Sequence, residues 1–438
     1  MSTMLDYKNP IILWAVSSDE SLHPCSTDVS AIFIKDTINR TTQCFGFNHP
    51  DLKTVDKNTF INDLNALTIK KWVFDKKSFI QLLPVKNLLD FNLYNHIENN
   101  RIVEEHSYET VAHKFVYRTK RGCGDLNKVV PILKHKEVFE GMCDEFFNVK
   151  PEYVDDGYKM ENDVVIETLA ELESNGIYVN ADCFLKHFDA KIHPNGLVYS
   201  RYNIYTSTGR PSNHFDGVNY AALNKDNGVR KCFVSRHGKD GRMVLIDYSA
   251  FHPRIICNLV NFPMSIDEDI YKYLGEMYFN RKVSEYDLEE IKSITMRQLY
   301  GGVEEKYEHI RYLSNLKEFK NSNWEYFKKN GYVLTPVFLR KITKEHLYDA
   351  TPTKLFNYIL QATETETALS AVQWVNRYLK DKKTKAILYT YDSVLFDFYN
   401  DDGPSVLGGI INIMKIGNRF PVKVYAGDSY DSVIQVYP

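Results

Sequence analysis

The stretch VLIDYSAFHPR, Val244 to Arg254, ends an apolar run on a carboxylate, Asp247, and follows it at once with polar, aromatic and cationic residues. An acid at a strand end is commonly a turn former or a helix cap. A second one stands in KAILYTYDSVLFDF, 385–398, where two β-rich runs meet at Tyr391-Asp392-Ser393 and predict a hairpin with Asp392 at its tip. Two acids at the ends of buried strands suit a two-metal phosphoryl-transfer site, in which hard oxygen ligands hold Mg2+ and the ions bridge attacking and leaving oxygens.

The helices around these strands supply matching groups. VSEYDLEEIKSITMRQLYGG, 283–302, opens with Ser284 and Asp287 in a capping-box pattern and stops at Gly301-Gly302. Within it Lys292, Met296 and Tyr300 follow at i, i+4 and i+8, so one face offers a phosphate-binding ammonium beside flat surfaces for a nucleotide. A second helix, predicted to be the longest, opens at Thr351-Pro352 and carries Asn357 and Gln361 one turn apart, two amides able to meet a duplex from its minor-groove side. Taken singly, each is more often a turn former, a solvated residue or a core residue. Their order along the chain is the stronger signal.

The 438 residues, 44% of them hydrophobic, allow two or three buried domains, and no repeat or low-complexity tract divides them. The first 150 residues mix short β-rich runs (PIILWAV, VSAIFI, KKWVF) with helical segments, an α/β pattern. A second unit is expected from Pro151, where MENDVVIETLAELESNGIYVN, 160–180, reads as a helix stopped at Asn175-Gly176 and followed by a short strand. The 54 Lys and Arg nearly cancel 57 Asp and Glu, so a nucleic-acid partner needs a local basic surface. Lys114, Arg118, Lys120, Arg121, Lys128, Lys134 and Lys136 concentrate charge that a phosphate backbone or plain solvent could face. The seven cysteines, without a CxxC pair, read as reduced thiols in a cytosol-like compartment. No apolar stretch reaches the roughly 20 residues that span a bilayer, which with the thiols predicts a cytoplasmic protein.

TSTGRPSNHFDGVNYAALNKDNGVRKCF, 206–233, followed by VLIDYSAFHPRIICNL, resembles the TGR segment and motif A of family A DNA polymerases, the DNA polymerase I-like enzymes. KSITMRQLYGG resembles their motif B, NYILQATETE the following template-contacting helix, and TYDSVLFDF their motif C. The resemblance covers Pro151 to Pro438 and implies an α/β (α+β) right hand, with palm at about 151–253 and 351–438 and fingers at about 254–350. It implies Asp247 and Asp392 as ligands of two Mg2+ ions, for which Mn2+ could substitute, with help from the Tyr248 carbonyl. Lys292 takes the place of the lysine that meets the triphosphate and protonates the pyrophosphate leaving group. Tyr300 takes that of the tyrosine beside the templating base, and Met296 stands where an aromatic stacks on the nucleotide. Arg210, Asn219, Arg254, Asn357 and Gln361 match positions that hold primer and template. The implied partners are a DNA primer-template and deoxynucleoside triphosphates, without a membrane.

Departures from the family shape further expectations. His252 stands where relatives carry a Glu that blocks a ribose 2′-hydroxyl and bonds the motif B tyrosine; imidazole can do both less well, so sugar discrimination is expected to weaken. Leu288 replaces a phosphate-binding Arg, and Tyr391 and Ser393 replace His and Glu around Asp392. Only a short segment separates ELESNGIYVN from the TGR segment, so the thumb is missing or vestigial, which predicts weak processivity and a partner that grips the duplex. In residues 1–150, KKWVFDKKSF, NLLDFNLYNHIENN and EHSYETVAHKFV resemble the RNase H-like 3′-5′ exonuclease domain of the same family. Its Asp-x-Glu is replaced by Ala15-Val16-Ser17, only Asp75 and Asp125 match later acids, and Asp19 and Glu20 are displaced. A degenerate nuclease without proofreading is expected. The other readings are a non-catalytic primer-template-binding subunit and a polymerase that incorporates ribonucleotides, as single-subunit RNA polymerases do.

Overall fold

A computed structural model describes residues 5–19, 22–103, 130–213, 218–223 and 227–437. They form two compact units, Met1–Ala170 and Glu171–Pro438. The division falls later than the expected 150/151. The reason lies in the helix over 156–175: the Tyr158 hydroxyl donates to the Asp90 carbonyl at 3.0 Å, and the Lys76 ammonium meets Glu167 at 2.8 Å, so its first turns pack within the first unit.

In the first unit, strands β1 (Ile11–Ser17), β2 (Val29–Asp36), β3 (Thr42–Gly46), β4 (Lys71–Val73) and β5 (Leu88–Asp90) form a sheet ordered β3-β2-β1-β4-β5. β1, β2 and β3 pair antiparallel, whereas β4 and β5 join in parallel. Both faces are covered, which is why β2 is buried along its whole length. On one face Ile11, Leu13, Ile32 and Ile34 pack with Phe60 and Leu64 of helix α1 (Lys57–Ala66) and Phe79 of α2 (Lys76–Leu82). On the other, Trp14 stacks on Phe139 of the helix Ile132–Val149 at 6.0 Å. Asp75 caps α2 by accepting from Ser78 N at 3.0 Å.

The second unit is built on five antiparallel strands in the order β13-β14-β10-β15-β16. Before them come the short strands β6 (Ile177–Tyr178), β7 (Leu197–Val198), β8 (Tyr202–Asn203) and β9 (Ser212–Asn213). β10 (Gly241–Tyr248) is the centre, flanked by β14 (Ser393–Tyr399) and β15 (Val422–Gly427). The hairpin β11 (Tyr332–Leu334) and β12 (Lys341–Thr343) stands apart, and β13 (Lys385–Thr390) and β16 (Ile434–Tyr437) close the edges. The 27-residue helix Pro352–Tyr378 begins as its sequence requires, with the Thr351 hydroxyl accepting from Lys354 N and Pro352 in the first turn. The Ser284/Asp287 capping box is present ahead of the helix Leu288–Tyr300. Gly275 lets the helix Ile270–Phe279 press against that one; a Cβ there would collide with the Ile291 side chain.

Between β6 and β9 the only helix is Ala181–His187, seven residues long.

One expectation is corrected. Cys183 and Cys232, 49 residues apart, are joined as a disulfide, with His187 beside them. Asn180 N donates to Cys232 O at 2.8 Å, so local backbone pairing brings the sulfurs together. The cysteine argument for a reducing compartment therefore falls away. Among the described residues no helix is long and apolar enough to cross a membrane.

Candidate active site

Both acids stand at one end of the central sheet. In the β10–β14 register Asp247 faces Ser393, and Tyr248 N donates to the Asp392 carbonyl at 2.9 Å. Asp392 sits in a two-residue loop whose first member, Tyr391, has φ +60°, the left-handed geometry such hairpin turns demand. Just after Asp247 the chain turns through Ala250, also left-handed at φ +51°, into the helix Phe251–Leu259. Strained backbone thus brackets both carboxylates, as it does at many functional sites. The two acids line one open cleft of about 510 Å3 together with Tyr220, Arg230, Tyr425 and Tyr430.

The donors suit Mg2+. They are hard carboxylate oxygens, and burial first, then the nearby Glu364, raise the Asp392 carboxyl above its usual range, with Arg210 and His252 opposing. A cation would relieve that cost.

Arg210 follows a turn in which Gly209 takes φ +68°, Gly209 N donates to Thr206 O at 2.9 Å, and the Thr206 hydroxyl donates to Arg210 O at 2.9 Å. Its guanidinium lies over the Tyr391 ring at 3.6 Å, which gives the replacement of the family's His a physical role. His252 Nδ1 meets the Tyr300 hydroxyl, with ring centroids 5.7 Å apart. Burial and then Glu364 push the Tyr300 phenol up to about 12. Asn357 donates to the Tyr300 carbonyl at 3.3 Å, tying the long helix to the end of the motif B helix. Lys292 is exposed, its ammonium 5.7 Å from the Tyr271 ring, and Met296 and Gln361 are half-buried. Asn219 is exposed, and the neighbouring Asn213 side-chain oxygen accepts from Tyr220 N and Ala221 N, both at 3.2 Å.

Arg254 is not brought to the cleft. Its side chain is buried and donates to the carbonyls of Ser265, at 2.6 Å, Ile266 and Glu268, which anchors that loop. Of the expected basic concentration only Lys134 and Lys136 are described, and Lys134 pairs with Glu137 at 2.9 Å. Lys114, Arg118, Lys120, Arg121 and Lys128 lie outside the described residues, as do Glu20, Asp125 and the segment EHSYETVAHKFV.

Sequence reasoning missed Glu364. It lies on the long helix, 2% exposed, within 3.0 Å of Arg210 Nε and 3.2 Å of His252 Nε2. A carboxylate in TETE looks like part of a solvated helical face; only the i, i+4, i+7 spacing of Asn357, Gln361 and Glu364 could have flagged it.

The sheet, the finger helices and the acids at one end of the sheet define a right-hand polymerase fold. No family model matches the chain. It is similar to the POL domain of Pol1 from M. smegmatis, solved in complex with DNA primer-template and dNTP, with a TM-score of 0.68 and 15% identity over 96% of this chain and 95% of that one. It is 23% identical over 317 residues to a DNA polymerase of Bacillus phage SP01, a match covering 60% of this chain and 34% of the relative. The chain therefore spans about a third of the length of that curated relative. Both similarities are to polymerases.

Proposed function

We propose that the chain is a template-directed DNA polymerase of family A type, adding deoxynucleotides to a primer 3′ end by two-metal phosphoryl transfer. The observation that carries this is the convergence of Asp247 and Asp392 on one cleft at one end of a right-hand palm sheet.

Asp247 and Asp392, with the Tyr248 carbonyl, would hold two Mg2+ ions, or Mn2+ in their place. The ions supply Lewis-acid activation and charge neutralisation at the reacting phosphate. Lys292 is exposed to meet the triphosphate and give a proton to the pyrophosphate. His252 and Tyr300 form the wall beside the sugar and templating base, with Met296 one turn before Tyr300 against the nucleotide. Arg210, Asn219, Asn357 and Gln361 orient primer and template. The chain's own contribution is positioning and electrostatic complementarity, which is most of what phosphoryl transfer asks of a protein.

The first unit serves this reading as a degenerate exonuclease-type domain without proofreading. Ala15, Val16 and Ser17 stand on the central strand where carboxylates are needed, and Asp75 is spent as a helix cap. The short helix in place of a thumb supports weak processivity and a protein partner that holds the duplex. His252 supports relaxed sugar selectivity as the second reading.

The test is primer extension by the purified chain with Mg2+, deoxy- or ribonucleotides, and a competitor trap. Short products from deoxynucleotides, lengthened by a duplex-gripping partner, are expected. Primer-template binding without extension would make the chain a non-catalytic subunit, and long products under the trap would refute the missing grip.

A further inference from the structure

The long helix carries four consecutive polar residues, Thr363, Glu364, Thr365 and Glu366, none more than 3% exposed. Two of them are answered locally: the Thr363 hydroxyl donates to Ile359 O at 2.6 Å, and Glu366 accepts from Phe338 N at 3.0 Å. The Glu364 carboxylate sits between two cationic or proton-bearing side chains, 3.0 Å from Arg210 Nε and 3.2 Å from His252 Nε2. Neither contact has the alignment of a hydrogen bond, so the carboxylate acts on both groups through charge. A desolvated carboxylate is costly to bury unless such partners surround it.

Resting on the polymerase reading, we propose that Glu364 is a positioning residue for sugar selection, holding the His252 imidazole so that its other nitrogen keeps Tyr300 in place. The carboxylate's charge beside Nε2 favours the tautomer with the proton on that nitrogen, and Nδ1 is then the atom left for the Tyr300 hydroxyl. The acid that relatives place on the motif A helix is, in this chain, supplied from the neighbouring helix through an imidazole. The same carboxylate orients Arg210, whose guanidinium covers the Tyr391 ring beside Asp392. One buried charge thus couples the sugar side of the cleft to its motif C side. It follows that His252→Glu alone does not restore a family-like gate, because it sets two carboxylates side by side.

The test has two arms. In single-nucleotide incorporation, Glu364→Gln is expected to raise the deoxynucleotide KM and lower deoxy-over-ribo discrimination by roughly tenfold, the size of one lost charge-assisted contact. His252→Glu is expected to be impaired, and the added Glu364→Gln to rescue it. Unchanged discrimination in Glu364→Gln together with an active, unrescued His252→Glu would overturn the proposal. In the second arm, nitrogen-15 NMR of the imidazoles, with the His252 signal assigned by its loss in His252→Gln, reads the tautomer without any turnover. A proton fixed on Nε2 in wild type and redistributed in Glu364→Gln is expected; an identical tautomer in both overturns the positioning role. Failure of wild type to incorporate any nucleotide would sink the polymerase reading and the selectivity role with it, while the NMR arm still decides whether Glu364 sets His252.

Discussion

Asp397 offers the sharpest test of how the site is held. It lies on β14, five residues beyond Asp392, with its carboxylate fully buried. One oxygen accepts from Arg236 Nε at 2.7 Å and Arg236 N at 3.1 Å, the other from the Ser235 hydroxyl at 2.5 Å. The same guanidinium donates to the carbonyls of Asn175 at 2.9 Å and Gly176 at 2.8 Å, so one ion pair staples the motif C strand to the segment entering β10 and to the end of the preceding helix. Asp397→Asn keeps the shape but removes the charge, leaving a guanidinium with only neutral partners. Breaking a buried pair in this way costs about 3–5 kcal/mol, and the quarter-exposed Arg236 places the value near about 3. Urea unfolding followed by circular dichroism should show that loss, and Asp397→Asn/Arg236→Met should recover at least about 1 kcal/mol of it, a coupling expected only between contacting groups. A loss under about 1 kcal/mol, or strict additivity in the double variant, would refute the staple.

Other predictions follow from single groups. Burial, and after it the neighbouring His49, pull the His135 imidazole from 6.5 down to about 4. The unfolded chain then takes up a proton below about 6.5 that the folded first unit refuses until about 4, so stability is lost as pH falls through that window, by about 3 kcal/mol. His135→Phe should flatten this acid limb in a pH series of urea midpoints; an unchanged limb would show the loss comes from elsewhere. Lys292→Ala should lower kcat/KM for deoxynucleotides by roughly 100-fold, as losing one transition-state charge partner does, with primer-template affinity retained; a change under threefold would remove Lys292 from the triphosphate site. Gly275→Ala should destabilise the finger helices, since its methyl meets Ile291, and an Ile291→Val background should soften the effect; equal losses in both backgrounds, read from urea midpoints, would place the collision elsewhere.

Much of the architecture was legible because it rests on local rules. The hairpin at Asp392 follows from two β-rich runs meeting at a turn, and Ser284, Asp287, Thr351 and Pro352 announce their helices through capping chemistry. What escaped were pairings made across the chain. Arg254 reads as a cation ready for a phosphate, yet three carbonyls from 265–268 bury it. Lys71 and Lys76, in KKWVFDKKSF, are both buried; Lys71 donates to Leu67 O at 3.0 Å, and Lys76 meets Glu167. Glu364 hides in the same way, since nothing local tells a solvated helical glutamate from one clasped by an arginine and a histidine about 150 and 110 residues earlier. Long-range charge pairing has no period, and a pattern-based reading cannot see it.

The most direct measurement of the central claim is single-nucleotide incorporation with Mg2+ by wild type, Asp247→Asn and Asp392→Asn, with primer-template binding measured in parallel. The account predicts incorporation by wild type, its loss in both variants, and equal binding by all three. Incorporation that survives either substitution, or fails in wild type while binding persists, would contradict it.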